Sequence, residues 1–548
     1  MLFFISTLFL SLHSERIFVS PDENAAFVFA RQLVDVGSLS VRESYNSQVG
    51  GLIHPRSVAV LGDLLVPGSF LGLPITAGIL MLGFGDAGGL LLTPVLALLG
   101  ILAFRVVIWK MFDDKSLADV SALFLMVHPA YLYFSGRVMM HNVAFLAFLI
   151  FAAFFAVSRP FGHKSLFVRE FRRLEHALAG IFVGLALFFR LSEAVWVLPV
   201  AFGLLIAFRN NLGWRNIASF LGGLLLMGVV IGYANSWVFG SPLLTGYTLP
   251  PVPTVASADV AISSAENAPS FALPFSFHPR AILNNVWDYG FVLYPWLTLA
   301  SLLGFGLLVL RGFEKNTAWR TLTVVSIIVS GVLFSLYGSW NFFDNPDPTL
   351  ITIGNSHVRY WLPVFALSTP FAAYLFVRVW RFFDPSLVTD AAGAVVKEPT
   401  GAKLARVSAR TLLVFILLFG LTANVHLVIF GHDGVLATRD ALDSFIGKRA
   451  RIMTLTEAES VIVVDRADKY LFPYRRVMVP LRDDKTYNAL PVLVKTVPTY
   501  YFGITFPETD LAYLNNDKLK ALGLKIELVE TIREESLYKF SHASGTSR

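Results

Sequence analysis

Up to about residue 430 the chain alternates long uncharged apolar runs with short clusters of lysine and arginine, and beyond that point it reads like ordinary soluble protein. A helix needs about 20 apolar residues to cross the roughly 30 Å hydrocarbon core of a bilayer, so this alternation constrains the fold more than any other feature. Only 15% of the residues are charged, against about 25% in an average soluble protein. The expected fold class is a polytopic α-helical membrane protein, with about 11 transmembrane helices, an outer juxtamembrane loop and a small C-terminal α/β extracytoplasmic domain. Residues 1–431 would form the membrane domain and residues 432–548 the extramembrane one.

The candidate spans are Met1–Val19, Gly88–Ile108, Leu117–Phe134, Met140–Val157, Ala177–Phe189, Ala194–Phe208, Ile217–Phe239, Gly290–Leu310, Thr321–Tyr337, Trp361–Val377 and Thr411–Phe430. Several are shorter than a full crossing and must borrow from their flanks. Met1–Leu12 lacks a basic leader and a small-residue cleavage site, so it reads as a first membrane helix rather than a removed signal peptide. Its shortness leaves room for a start further upstream. Lys110 and Lys115, the basic residues between Arg159 and Arg173, Arg209 and Arg215, Arg311 to Arg320, and Arg378 to Arg410 all fall on one side of these spans. The opposite loops hold little beyond Arg137, Arg190, Arg280 and Arg359. Basic loops stay in the cytoplasm, so the second set is expected outside.

Leu64–Gly83 is apolar enough to cross but carries Pro67, Pro74 and four glycines. Such residues make a poor straight helix, and a kinked or re-entrant element at the outer interface is expected. The outer loop Gly240–Asp288 is rich in proline, and a loop of that length commonly serves as a lid or binding element. In the tail, Ser460–Asp465, Val477–Leu481, Val492–Val497, Tyr500–Thr505 and Lys525–Ile532 read as strands and Glu508–Leu522 as a helix.

The chain has no cysteine, which excludes disulfides, thiolate metal sites and cysteine nucleophiles. The net charge of +6 comes from basic residues in loops between apolar runs. It therefore speaks for membrane orientation and not for nucleic acid. P-loop, HExxH and serine-triad patterns are missing from the sequence.

The chemistry must come from the outer side. Ser20-Pro21-Asp22-Glu23 fits a helix start, with serine as cap, proline at the first position and glutamate closing a capping box. A catalytic reading is compatible with that, because Glu23 can fold back on the cap and leave Asp22 free. Arg190 and Arg359 lie beside apolar runs, where a positive charge is costly and usually has a partner or a task. Either they snorkel to head groups, or Arg190 pairs with Glu193, or their guanidinium forks bind phosphate. His54 and His141 could position an acceptor or protonate a phosphate, although a lone histidine is more often structural. Asp344 and Asp347 have a spacing that fits calcium or a turn, and the neighbouring Asn345-Pro346 favours the turn.

Taken in order, several stretches resemble the GT-C superfamily of membrane glycosyltransferases, in particular the branch of protein O-mannosyltransferases and the lipid A aminoarabinose transferase. They are Pro21-Asp22-Glu23-Asn24 with Ala30-Arg31 and Gly37; His54-Pro55 leading to Leu82-Gly83-Phe84-Gly85; Phe239-Gly240-Ser241-Pro242 with Gly246-Tyr247; and Arg359-Tyr360 with Pro363. The resemblance covers roughly residues 1–430. It implies that Asp22, with Glu23 beside it, is the catalytic carboxylate, and that Arg359, then Arg190 and Arg137, meet the donor phosphate. His54, His141, Tyr360 and Tyr247 become acceptor-side or auxiliary residues. Many relatives have a second acid before the fourth span, where this chain has His141-Asn142. No metal ligand is assigned, no cofactor is certain, and a divalent metal is left open.

The reaction implied is inverting transfer of a sugar from a polyprenyl or dolichyl phosphate to a lipid, glycan or protein acceptor. It would take place at the outer face of the plasma membrane, with the C-terminal domain on the same side. A transporter or flippase of lipid-linked glycans is the competing class, and a scaffold with a sensor tail is the third.

Overall fold

The computed structural model describes residues 16–157, 166–249, 276–342, 344, 347, 349–383, 400–481 and 483–543. Residues 1–15 of the first expected span and the central part of the Gly240–Asp288 loop lie outside these residues. The described chain is mostly helical, with a three-stranded sheet near its start and a five-stranded sheet near its end.

Five helices are long and apolar enough to cross a membrane, and up to seven if each of two bent pairs counts as one span. The chain is therefore a multi-pass membrane protein. The long helices include Asp86–Phe112, Trp214–Phe239, Thr317–Gly338 and Leu362–Phe382; Gly72–Phe84, His141–Ala156 and Leu191–Ala207 are apolar but shorter. The bends have local causes. Lys115–Val127 and Pro129–Ser135 meet at 60°, because Pro129 excludes the helical conformation from His128, which is extended at ψ 122°. Pro295 has the same effect at the 102° break between Pro279–Val292 and Pro295–Leu310.

Ion pairs gather several basic loops at one end of the bundle. Both terminal nitrogens of Arg381 reach Asp114 at 2.7 Å, and Arg378 and Tyr374 meet Glu314. Leu362–Phe382 has 21 residues, so at 1.5 Å per residue it separates that end from Arg359 by roughly 30 Å.

The expected kinked element at Leu64–Gly83 is two elements. Val58–Leu61 (β2) and Leu64–Pro67 (β3) form a hairpin, with Val41–Arg42 (β1) on the other edge of β3. The helix Gly72–Phe84 follows and packs on Pro21–Val36. Gly78 allows this close approach, since a Cβ there would stand 2.8 Å from Leu33 Cδ2 and 3.1 Å from the Ala30 carbonyl oxygen.

The C-terminal sheet has the order β5-β4-β6-β8-β7, built from Val461–Val464 (β4), Arg476–Met478 (β5), Thr499–Ile504 (β6), Leu524–Ile532 (β7) and Glu535–His542 (β8). The interior strand β4 runs parallel to β5 and β6, and all four of its residues are buried, as a strand covered on both faces requires. Val492–Val497, expected as a strand, belongs instead to the helix Asp484–Thr496 and its end. Asp483 caps that helix by accepting the Lys485 N–H at 2.9 Å, and Thr486, Ala489, Leu490 and Leu493 give it one buried face. Six residues were too short a window to reveal that helical period.

Candidate active site

Asp22 occupies the first turn of Pro21–Val36. The capping box is complete: the Ser20 hydroxyl accepts the Asp22 N–H at 3.2 Å, and the Ser20 N–H donates to Glu23 Oε2 at 3.1 Å. The Asp22 carboxylate takes no part in the box. Its Oδ2 accepts Arg359 Nη1 at 2.8 Å, and its Oδ1 accepts the Ser57 hydroxyl at 2.5 Å. Both partners come from distant segments. Ser57 is in the left-handed region at φ 62°, a conformation costing about 1–2 kcal/mol for a residue other than glycine. Gly68 makes room for it, because a Cβ there would lie 2.7 Å from the Ser57 carbonyl carbon. Arg359 is carried by Ser356–Tyr360, a short helix capped by Asn355.

Burial pushes the Asp22 carboxyl up, but the Arg359 charge and then the Ser57 bond outweigh it and hold the group down at about 2. Its side chain keeps 23% exposure and Arg359 keeps 13%, so the pair is open on one side. Hydrogen-bonding capacity is left over around it. Among the described residues Arg359 Nε, His141 Nδ1 and Asn142 Oδ1 are buried without a partner, a condition that native structures rarely tolerate without a bound group. His141 has Asp22, Arg190 and Arg359 as electrostatic neighbours, and Asn142 Nδ2 donates to the Arg359 carbonyl at 3.2 Å.

A second arginine adjoins the first through one ring. The Arg190 and Arg359 guanidinium carbons lie 4.8 and 5.1 Å from the Tyr360 ring centroid, and Tyr337 stacks on that ring at 4.4 Å. Arg190 Nη2 also donates to Glu193 Oε1 at 2.7 Å, and Glu193 is held in turn by Tyr337 and Trp196, each at 2.5 Å. The expected pairing of Arg190 with Glu193 is thus present, together with a face toward Tyr360. Tyr247 rests against Phe70 at 5.0 Å and has Asp22, Tyr360, Arg190 and Arg359 as electrostatic neighbours. Gly246 permits this, since a Cβ there would stand 2.4 Å from the Pro67 carbonyl oxygen.

Three expected site residues stand apart. Glu23 and Arg137 form a buried bidentate pair, Nε to Oε1 and Nη2 to Oε2 both at 2.7 Å, with Arg137 Nη1 also donating to Tyr133 at 3.0 Å. His54 has its Nδ1 2.9 Å from the Pro55 carbonyl, and no contact joins it to Asp22 among the described residues. Asp347 accepts from Thr349 in a turn, and Asp344 accepts the Ser356 N–H. Sequence reasoning missed Ser57, Tyr337 and Trp196. Ser57 follows the singled-out His54-Pro55 stretch, but nothing local pairs it with a residue 35 positions earlier.

A cavity of about 640 Å³ lies among the membrane helices, lined by Phe104, Trp196, Val197, Val329, Pro363 and Leu367 among others. Trp196 binds Glu193 and Pro363 lies four residues after Arg359, so one end of this mainly apolar space approaches the polar cluster, while Lys110, His176, Asn211 and Thr317 line it toward the basic-loop end. A carboxylate paired with a partly exposed arginine, a second arginine on the same ring and an apolar cavity nearby suit a ligand with an anionic head and a hydrocarbon tail.

No protein-family model matches the chain, and no curated protein matches it. Solved structures do. ArnT from Cupriavidus metallidurans bound to undecaprenyl phosphate superposes with a TM-score of 0.59 at 15% identity, over 98% of this chain and 97% of that one. Its apo state gives 0.53 at 14%, covering 98% and 96%. The oligosaccharyltransferase AglB from Archaeoglobus fulgidus, in complex with an inhibitory peptide and a dolichol-phosphate, gives 0.51 at 12%, covering 95% and 70%. The expected resemblance holds at the level of fold: this chain has the fold of ArnT and of the oligosaccharyltransferase AglB.

Proposed function

We propose that the protein is an integral membrane glycosyltransferase that moves a sugar from a polyprenyl or dolichyl phosphate to an acceptor on the extracytoplasmic side. The observation that carries this reading is the Asp22–Arg359 pair, partly open, with an unsatisfied Arg359 Nε and the Arg190–Tyr360 contact beside it. Support comes from the two fold neighbours whose structures hold undecaprenyl phosphate and dolichol-phosphate. In this proposal the donor phosphate meets Arg359 and Arg190, its tail enters the apolar cavity, and His141, Tyr360 and Tyr247 border the sugar or the acceptor. Glu23 and Arg137 hold the helix start in place, and His54 stays peripheral.

The transfer is a single displacement with inversion. An acceptor hydroxyl oxygen forms the new bond to the anomeric carbon while the bond from that carbon to the phosphate oxygen breaks. The electron pair leaves with the lipid phosphate, where arginine stabilises the growing charge. The hydroxyl proton passes to Asp22. A carboxylate held at about 2 by Arg359 is a weak base, so donor phosphate that draws Arg359 toward itself also raises the basicity of Asp22. The resting ion pair thereby becomes a donor-dependent lock on the base.

The same proposal takes residues 1–431 as an eleven-span catalytic domain with the basic loops in the cytoplasm, and residues 432–548 as an extracytoplasmic domain of a plasma-membrane protein. Its test is incubation of the purified protein with a panel of polyprenyl-phosphate sugars. Binding and slow hydrolysis of at least one is expected, and indifference to all of them refutes the assignment.

A further inference from the structure

The loop 465–475, between β4 and β5, leaves the C-terminal sheet at the carboxyl ends of its parallel strands, the edge where α/β sheets commonly hold ligands. It lies against the helix that carries Asp22: Asn24 Nδ2 donates to the Phe472 carbonyl at 3.0 Å. From the same side Arg56 grips Asp468, with Nε to Oδ2 at 3.0 Å, Nη2 to Oδ1 at 2.6 Å and its backbone N–H to Oδ2 at 2.9 Å. Arg56 directly precedes Ser57, which is bonded to Asp22. The two oxygens of Asp22 thus face two sides, Oδ2 toward Arg359 and Oδ1 toward Ser57 and this loop.

One cation on the loop side is left without a carboxylate partner among the described residues. Asp468 is fully buried and engaged by Arg56, while Arg137 is matched by Glu23. Lys469 has no carboxylate partner among the described residues; its close contact is the Phe445 ring, 4.3 Å from Nζ. Its electrostatic neighbours are Arg56, Arg137 and Arg466 beside Asp468. Burial, and next Arg56, pull its ammonium down to about 8. A half-buried cation among other cations is unfavourable until an anion joins it.

We propose that Lys469, with Arg56 and Arg466 beside it, forms an anion subsite on the acceptor side of Asp22, so that the acceptor carries a phosphate near the hydroxyl that receives the sugar. The assignment of this anion to the acceptor rests on the transfer reaction proposed above. The phosphate can be borne by a lipid or by a soluble sugar.

The test uses the full chain in lipid nanodiscs and three probes: dodecyl glucoside, its 6-phosphate, and glucose 6-phosphate. The phosphorylated glucoside should bind roughly ten- to a hundredfold more tightly than the neutral one, as befits a charge-assisted contact. Lys469→Gln should erase most of that difference, Lys469→Arg should retain it, and the affinity for undecaprenyl phosphate should hold in both. Tight glucose 6-phosphate would identify a soluble acceptor, and preference for the dodecyl form a lipid one. Equal binding of the charged and neutral glucosides overturns the subsite, as does discrimination that survives Lys469→Gln. Loss of undecaprenyl phosphate affinity in Lys469→Gln would move the lysine to the donor side and equally overturn the proposal. Because binding is read directly, a protein that discriminates the probes but consumes no donor would defeat the transfer reading and leave the anion subsite standing.

Discussion

Replacing Glu23 with glutamine removes one charge from a pair that has almost no access to water. Glu23 is 3% exposed and Arg137 6%, and two parallel bonds of 2.7 Å join them. Breaking a buried pair from one side typically costs about 3–5 kcal/mol, because the other charge stays buried without compensation. Unfolding entropy of about 2.1 cal/mol/K per residue gives roughly 1.2 kcal/mol/K for 548 residues. If the chain unfolds as a unit, the midpoint should therefore fall by about 3–4 °C. Arg137→Gln should cost a similar amount, and Glu23→Gln combined with Arg137→Met should recover part of it. Thermal melts followed by tryptophan fluorescence in one detergent, with undecaprenyl phosphate titrations alongside, measure both stability and binding. An Arg137→Gln protein that melts like wild type and yet loses donor-lipid affinity would refute the structural role and return Arg137 to the phosphate site.

Arg359→Ala should weaken undecaprenyl phosphate binding roughly ten- to a hundredfold, and Arg359→Lys should recover only part, since an ammonium lacks the paired coplanar donors of guanidinium. Equal affinities across that series remove Arg359 from the site. The pH profile provides a separate check on the same pair. Asp22 is held at about 2, below its ordinary 3.8, so any stability it contributes is fully present above 3.8 and is lost only as pH falls through about 2. Arg359→Gln leaves burial as the leading influence and raises the carboxyl, so the acid limb of donor turnover should move to higher pH; an unmoved limb contradicts the coupling. Orientation can be read in the cysteine-free background. Lys164→Cys should resist an impermeant thiol reagent in intact cells, whereas Ser257→Cys and Asn515→Cys should react, and the reverse pattern overturns the topology.

What the sequence made legible was mostly local. Ser20-Pro21-Asp22-Glu23 announced a capping box, and the same four residues isolated Asp22 as the acid left outside it. Arg190 and Arg359 were legible because a charge beside an apolar run needs a reason. Their common ring was harder to see: Tyr360 was named, but its stacking with Tyr337 and its place beside both arginines depend on helices that meet only in the folded bundle. Glu23 with Arg137 and Asp22 with Ser57 are joined across 114 and 35 positions, and no periodicity encodes such a pairing. In the tail, β4, β6 and β7 were readable from continuous or alternating apolar runs. Asp484–Thr496 was not, because Val492-Leu493-Val494 taken alone looks β-branched and its helical face becomes visible only with Thr486, Ala489 and Leu490. The Val435–Leu455 helix escaped for the opposite reason, since its apolar residues are too few to stand out from its charges.

Whether Asp22 is the base of a lipid-phosphate sugar transfer can be read by comparing Asp22→Asn with wild type under single-turnover conditions, using a polyprenyl-phosphate sugar that the wild type binds. Asparagine keeps the size of aspartate and its fitness for a helix start and removes its basicity. Asp22→Asn should still bind the donor lipid and melt close to wild type, but transfer or hydrolyse sugar slower by roughly a hundredfold or more, the scale of a lost general base. Turnover close to wild type by the folded variant would rule out Asp22 as the base and leave it as a partner of Arg359 only.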